Sequence, residues 1–407
     1  MTLDKIYHAS YTLKEVVRKT DLIAAPDLCE TEGIWLKTEN LQVTGAFKLR
    51  GAYYKISQLS KEEKSRGVIA CSAGNHAQGV ALAAQKEGIS ALICIPDNAP
   101  ISKIEATKRY GGTVELVPGG YDDAYRRALA LQAEKGYTLI HPFNDEDVIA
   151  GQGTIGLEIL DQMPDVEAVL VPVGGGGLVS GIAFAIKSLR PQCKVYGVQA
   201  AGAASMQRSI QKGKATALDR VATFADGIAV KCPGDVTFDL VRRYVDAVVT
   251  VNEDEVASAI LALMERQKMV AEGAGAVAVA AAMYSKVKLE GKKTVCLVSG
   301  GNIDVNILSR VITRGLVMSG RNANLTIALV DKPGQLEGVS RIISKHGGNV
   351  VSVQYDRSDP HMAINSCFIT LALETRDHAH LVEIKQGLTD SGFEIVRQSY
   401  RNTNWEE

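Results

Sequence analysis

Four consecutive glycines, Gly174-Gly175-Gly176-Gly177, followed by Leu178, separate an apolar run, Val169-Leu170-Val171-Pro172-Val173, from a helical pattern between Val179 and Leu189. A short apolar run, a glycine turn and a helix form one strand–turn–helix unit, and such units belong to parallel sheets flanked by helices. Glycines let backbone N–H groups converge on an anion, and the start of the following helix adds partial positive charge, so this turn suits a phosphate. Taken alone such a turn is more often merely a flexible connection.

The surrounding sequence repeats the same logic. From about Gly67 to Gly320, β-branched runs alternate with longer helical patterns, which predicts βαβ units around a parallel sheet. Strands are expected at 68–72, 91–95, 114–117, 138–141, 168–173, 194–199 and 294–298, with helices that include 76–87, 101–110, 122–135 and 253–269. Ligands collect at the carboxyl ends of strands in open α/β sheets, so the loops after Ser72, Val173 and Val298 should line one site. Near Ser319-Gly320-Arg321-Asn322 the pattern changes to strand 324–330, helix 335–345, strands 350–356 and 363–374, helix 379–390 and strand 393–397. This βαββαβ order predicts a small α+β ferredoxin-like domain, better suited to binding than to catalysis.

A chain of 407 residues with 46% hydrophobic content has apolar surface for more than one core. Its 45 basic and 46 acidic side chains are interspersed, leaving no basic block that would mark a nucleic-acid partner. Seven cysteines (Cys29, Cys71, Cys94, Cys193, Cys232, Cys296 and Cys367) are scattered singly, without CxxC pairs or histidines at zinc spacing; this disfavours a disulfide framework or a structural metal. The first twenty residues carry charges and no apolar core segment, so no secretory signal is read there and a cytoplasmic location is expected. The segment 168–186 is uncharged over about the length of a bilayer crossing, but Pro172 and the glycines would break a spanning helix, so no membrane association is expected.

Three further segments carry chemistry: Glu39 to Ala52, containing Gly45-Ala46-Phe47-Lys48; Ser72-Ala73-Gly74-Asn75-His76-Ala77-Gln78-Gly79; and Ser299-Gly300-Gly301-Asn302. With the tetraglycine turn, these motifs in this order resemble the threonine dehydratases (threonine ammonia-lyases), pyridoxal-phosphate enzymes of fold type II, the tryptophan-synthase-β-like fold. The resemblance runs through about Gly320. It implies a catalytic domain at 1–320, with two open α/β subdomains of parallel type, the smaller at about 45–150 inserted in the larger. The region 321–407, with Asp331-Lys332-Pro333-Gly334-Gln335-Leu336, resembles an ACT domain.

The resemblance implies a role for each motif. Lys48, beside Phe47, supplies the amine that binds the pyridoxal aldehyde and later takes the Cα proton. Gly174 to Gly177 and Leu178 hold the phosphate, and Asn75 bonds the ring hydroxyl. Ser299 meets the pyridine nitrogen, where a neutral hydroxyl does not force protonation and so favours β-elimination over transamination. Ser72, Ala73, Gly74 and Asn75 take the substrate carboxylate. Serine racemases resemble this chain through the same motifs but carry a serine where Ala73 stands, and Ala73 cannot relay a proton. Their cation site is unmatched, since 197–205 offers no carboxylate. His76 reads as a structural helix-start residue, and no chemistry is assigned to Asp226-Gly227. Glu272 is either part of the active-site rim or a helix-end carboxylate.

For the ACT-like region the resemblance implies amino-acid binding by Asp331, Pro333, Gly334, Gln335 and Leu336, with the segment around Asn349 across a subunit interface. Isoleucine is the favoured effector and a homotetramer is favoured over a dimer. The expected reaction is conversion of L-threonine to 2-oxobutanoate and ammonia, with L-serine as a slower substrate. A serine-preferring dehydratase and a non-catalytic amino-acid sensor are the alternatives.

Overall fold

The computed structural model describes residues 1–28, 33–358 and 363–399, so Cys29 lies outside the described residues. The chain divides into two compact units, Met1–Leu308 and Ser309–Glu407. The first opens with α1 (Leu3–Leu13), β1 (Leu22–Ala24), β2 (Ile34–Lys37), α2 (Lys48–Ser57) and α3 (Lys61–Arg66). An alternating stretch follows: β3 (Val68–Cys71), α4 (Asn75–Lys86), β4 (Ala91–Pro96), α5 (Ile101–Arg109), β5 (Thr113–Val117), α6 (Tyr121–Lys135) and β6 (Thr138–Leu139). Next come α7 (Glu146–Gln162), β7 (Ala168–Pro172), α8 (Gly177–Leu189), β8 (Lys194–Ala200), α9 (Ser205–Lys212), α10 (Asp235–Tyr244) and β9 (Ala247–Val251). The series closes with α11 (Glu253–Gln267), α12 (Gly273–Met283), β10 (Thr294–Leu297) and α13 (Val305–Met318), within which the division between units falls.

Two sheets organise the first unit. One is four-stranded and wholly parallel, in the order β5-β4-β3-β6, and draws its strands from one continuous stretch. The other is six-stranded, in the order β1-β2-β10-β7-β8-β9, parallel except for β1, which runs antiparallel to β2. The unit has the expected α/β sheets of parallel type. Strand and helix limits fall within about three residues of those read from sequence. Three strands escaped that reading, β1, β2 and β9, and the larger sheet is consequently mixed at one edge. Residue 141 is also corrected, since β6 ends at Leu139 and His141 belongs to the turn beyond it.

Helices α2, α7 and α8 meet backbone to backbone. A Cβ on Gly151 would stand 2.6 Å from the Arg50 carbonyl oxygen and from Gly51 Cα, and one on Gly181 would stand 2.3 Å from the Ile149 carbonyl oxygen. The run Gly151-Gln152-Gly153-Thr154-Ile155-Gly156 therefore lies inside a helix and serves close packing. Replacing Gly151 with Ala should cost roughly 1–3 kcal/mol, because the atoms it meets are main chain and cannot yield locally. Urea unfolding checks this, and an unchanged midpoint would contradict it. Helix α12, Gly273-Ala274-Gly275-Ala276-Val277-Ala278-Val279-Ala280-Ala281-Ala282-Met283, is buried on every side through Ala282, which explains its lack of an amphipathic pattern.

The second unit contains β11 (Asn322–Val330), α14 (Gln335–Lys345), β12 (Asn349–Asp356), β13 (Ser366–Glu374), α15 (His378–Asp390) and β14 (Glu394–Ser399). Its antiparallel sheet has the order β12-β13-β11-β14. Alternate residues Ala323, Leu325, Ile327 and Leu329 of β11, and Cys367, Ile369, Leu371 and Leu373 of β13, pack against Val339 and Ile343 of α14 and Leu381, Ile384 and Leu388 of α15. One face thus carries both helices, giving the anticipated βαββαβ order. Among the described residues no helix is long and apolar enough to cross a membrane, and no three His, Cys, Asp or Glu side chains are grouped to hold a metal ion.

Candidate active site

Lys48 is the first residue of α2, and the turn before it is built by Gly45, whose φ of +72° favours glycine. Segment 45–47 lies antiparallel against the loop after β10: Ala46 bridges Gly300, the Phe47 amide donates to the Ser299 carbonyl at 3.2 Å, and the Gly301 amide donates to the Gly45 carbonyl at 2.9 Å. Helix α4 crosses close by, since a Cβ on Gly79 would stand 3.1 Å from the Lys48 carbonyl carbon. The Lys48 ammonium donates to the Pro142 carbonyl at 2.9 Å and sits 5.2 Å from the Phe47 ring centroid. Burial pulls its pKa down to about 8, against the opposing pull of the Glu272 charge. An amine so placed is within reach of its neutral, nucleophilic form at ordinary pH.

The second motif follows β3. Ser72 Oγ accepts from the Gly74 amide at 3.1 Å, and nothing lies within 4 Å of where a Cβ on Gly74 would stand, so this backbone faces open space beside Ala73. Asn75 opens α4; its Nδ2 donates to Glu272 Oε1 at 2.6 Å, and its Oδ1 accepts from Asn302 Nδ2 at 2.7 Å. Asn302 Nδ2 also donates to the Thr44 carbonyl at 2.8 Å, so three of the four motifs are joined through side chains. Ser299 is buried and its hydroxyl donates to the Ala274 carbonyl at 3.3 Å. His76 Nε2 bonds the Ile140 carbonyl at 2.8 Å, and burial followed by the Lys48 charge holds its pKa down to about 3, so it stays neutral.

The tetraglycine turn links β7 to α8, and Leu178 is the second residue of that helix. Gly176 adopts φ +97°, and no side chain caps α8. The Thr237 hydroxyl donates to the Gly175 carbonyl at 2.6 Å and steadies the turn. The glycines also have a packing cause: a Cβ on Gly175 would stand 2.4 Å from the Phe143 ring, and one on Gly174 would meet Ile228 Cα at 3.0 Å. Phe143 thus ties the glycine turn to Pro142 and Lys48. Sequence reading missed this fifth segment. His141 pins it, accepting the Phe143 and Asn144 amides on Nδ1 at 3.2 and 2.8 Å. Pro142 and Asn144 signal only a turn, and nothing in their pattern marks a partner for Lys48.

Glu272 precedes α12, with its amide donating to the Gly300 carbonyl at 3.1 Å and its side chain only 4% exposed. Asp226, the first residue of a short 3-10 helix (Asp226–Ile228) packed on α12, pairs with Lys103 of α5, which packs with the four-stranded sheet. The pair therefore spans the two sheet regions next to Glu272.

In the second unit Asp331 is held by Arg357 at 3.0 Å, Gly334 has φ +89° with free space where a Cβ would stand, and Gln335 starts α14 with Leu336 next. Pro333 lies in the same loop. Asn349 starts β12 level with the start of β11, its Nδ2 donating to Glu374 Oε2 at 2.9 Å. The loop 331–336 follows the far end of β11, so within one chain Asn349 and that loop lie at opposite ends of the sheet.

These donors suit a phosphate-bearing pyridoxal: a partly buried amine of lowered pKa, an amide and a buried hydroxyl at loops around it, and a glycine turn at an uncapped helix start. Residues 13–301 match the family of pyridoxal-phosphate-dependent enzymes, and the chain belongs to that family. It is an enzyme, and pyridoxal phosphate is its cofactor. Among its relatives, an L-threonine ammonia-lyase of Thermotoga maritima is 52% identical over 397 residues, which is 97% of this chain and 99% of the relative. An L-threonine ammonia-lyase of Geobacter sulfurreducens is 44% identical over 95% of this chain and 97% of its own. Of solved structures, the processed form of threonine deaminase isoform 2 from Solanum lycopersicum superposes with a TM-score of 0.73 at 39% identity, covering 77% of this chain and 93% of that one. Maize serine racemase gives 0.72 at 36%, covering 77% and 97%.

Proposed function

We propose that this enzyme dehydrates and deaminates L-threonine to 2-oxobutanoate and ammonia, with L-serine turned over more slowly to pyruvate. The partly buried Lys48 amine between the Pro142 carbonyl and the Glu272 charge carries the reading. Relatives that match nearly the whole chain are L-threonine ammonia-lyases, which supports the choice of substrate. When bound, pyridoxal phosphate supplies the aldehyde that captures the amino group and the ring that accepts electron density as the Cα–H bond breaks. In this reading the Gly174–Gly177 turn and the Leu178 amide hold the phosphate, Asn75 the ring hydroxyl and Ser299 the ring nitrogen. The backbone of Ser72, Ala73 and Gly74 binds the substrate carboxylate. Lys48 would hold the cofactor's aldehyde and, once the substrate's amino group has taken its place, its freed amine would take the Cα proton. Ala73 offers no group for returning a proton to the opposite face, so elimination prevails over racemisation.

The second unit is read as an ACT-type amino-acid sensor, with the loop from Asp331 to Leu336 as its contact. Asn349 at the other end of the sheet fits a pocket completed by a second copy, and a homotetramer is the favoured assembly. A coupled keto-acid assay on the purified yellow enzyme tests both proposals. Threonine is expected to give the higher kcat/KM, and isoleucine to change the rate or half-saturation. A preference for serine would overturn the substrate assignment, and indifference to isoleucine, valine, serine and threonine would overturn the sensor. We place the enzyme in the cytoplasm; among the described residues the cysteines are free and all but Cys232 are buried, as suits a reducing compartment.

A further inference from the structure

We propose that Glu272 is a positioning residue, whose ionised carboxylate, with Asn302, holds the Asn75 amide in one of its two orientations and whose protonation weakens that hold, so that this group sets the acid limb of activity. The proposal rests on the reading above in taking Asn75 as the partner of the cofactor ring. An amide side chain has nearly the same shape in either orientation, and only its neighbours decide which end points where. Here each end is met by an opposite partner. Asn302 Nδ2 donates to Asn75 Oδ1 at 2.7 Å, and its second bond, to the Thr44 carbonyl at 2.8 Å, fixes which way Asn302 itself faces. On the other side Glu272 Oε1 accepts from Asn75 Nδ2 at 2.6 Å. An ionised carboxylate only accepts, so Asn75 must present its NH2, and the second N–H stays available for the ring hydroxyl.

Glu272 is itself held firmly. Its amide donates to Gly300, and the bare α-carbons of Gly300 and Gly227 make room for the carboxylate: Cβ atoms there would stand 2.4 and 3.4 Å from Oε1. Once protonated, the carboxyl loses its charge and gains an O–H donor, so the charge-assisted bond that holds the Asn75 NH2 weakens and the orientation rests on Asn302 alone. This happens in the working range. Burial, and then the neighbouring Asp226 charge, push the Glu272 pKa up to about 7, against Lys103, the Asn75 hydrogen bond and Lys48, which pull it down. Because the group is raised, it is ionised above about pH 7 and protonated below, so activity should fall as the pH drops through that point.

Measuring kcat/KM for threonine and the dissociation constant for pyridoxal phosphate from pH 5.5 to 9 tests this with wild type, Glu272→Gln, Asp226→Asn and Lys103→Met. In wild type, kcat/KM should fall about tenfold per pH unit below an inflection near 7, with cofactor affinity weakening over the same interval. Asp226→Asn should move the inflection down and Lys103→Met should move it up, since the two charges act on Glu272 in opposite senses. Glu272→Gln should lack that inflection in both readouts while keeping its melting temperature at pH 8, since it removes a buried charge. An unchanged inflection in Glu272→Gln, or shifts of the same sign in the two charge variants, would overturn the proposal. If threonine is not turned over at all, the substrate assignment fails, and the cofactor-affinity curves still decide the role of Glu272.

Discussion

Lys48→Ala should reduce threonine turnover by on the order of 10⁴-fold or more while leaving the fold intact. The loss is large because one amine has two tasks in the proposed reaction: binding the cofactor carbon and moving the Cα proton. The fold should survive because Lys48 contributes a single hydrogen bond, to the Pro142 carbonyl, and bears its charge at a desolvation cost. Circular dichroism and melting temperature should match wild type within a few degrees. A variant that keeps more than about a tenth of wild-type turnover would contradict the assignment.

Arg50→Met is expected to have the largest effect on stability. Arg50 lies two residues after Lys48 on α2 and therefore projects from roughly the opposite side of the helix, into the core. Its guanidinium is fully buried between two carboxylates: Nε and Nη2 donate to Glu39 at 2.8 Å, and Nη1 and Nη2 donate to Glu158 at 2.6 and 3.0 Å. Thr154 Oγ1 and the Arg18 carbonyl accept further bonds. Lys37, also buried, bonds Glu158 at 2.6 Å, so two cations and two carboxylates balance. Attraction to Glu39 and Glu158 overcomes the cost of burial and keeps the Arg50 pKa raised, whereas burial dominates at Lys37 and lowers its pKa. Removing Arg50 strands the buried Glu39 carboxylate and the partly buried Glu158 carboxylate around one lysine, which should cost about 3–5 kcal/mol and lower the melting temperature by roughly 5–10 °C. Adding Glu39→Gln should recover part of the loss, because it removes one stranded charge. A loss under about 1 kcal/mol in denaturant unfolding would show that the network does not anchor α2.

The parts of this fold that sequence reveals are those where apolar runs end in glycine. Strands β3, β7 and β10 are short, wholly buried and followed by glycine-bearing turns, so both their position and the loops beyond them can be read from composition. Other elements hide for stated reasons. Strand β2 is four residues long and ends in Lys37, which reads as a surface residue although it is buried and paired with Glu158. Helix α7 carries three glycines that look like breaks in the chain, yet they face helices α2 and α8 at main-chain contact. Helix α12 is apolar all round and shows no periodic face.

Around the candidate site the same division holds. The motifs at Lys48, Ser72, Gly174 and Ser299 stand out because glycine clusters mark them. The segment from Ile140 to Asn144 does not, since its contribution is a carbonyl from Pro142, a ring from Phe143 and a neutral His141, none of which has a sequence signature. Asn302 belonged to a recognised motif without an assigned task, and its link from Asn75 to Thr44 emerges only in three dimensions. Glu272 could be read as rim or helix end; it occupies the helix-start position while its carboxylate faces Asn75.

The central claim, that Lys48 is the residue to which the cofactor attaches, is tested most directly by treating the purified yellow enzyme with borohydride, digesting it and locating the retained pyridoxyl phosphate by mass spectrometry. The label should fall on the peptide containing Phe47 and Lys48, on Lys48 itself, at about one per chain. A label on another lysine, with Lys48 unmodified, would contradict the account.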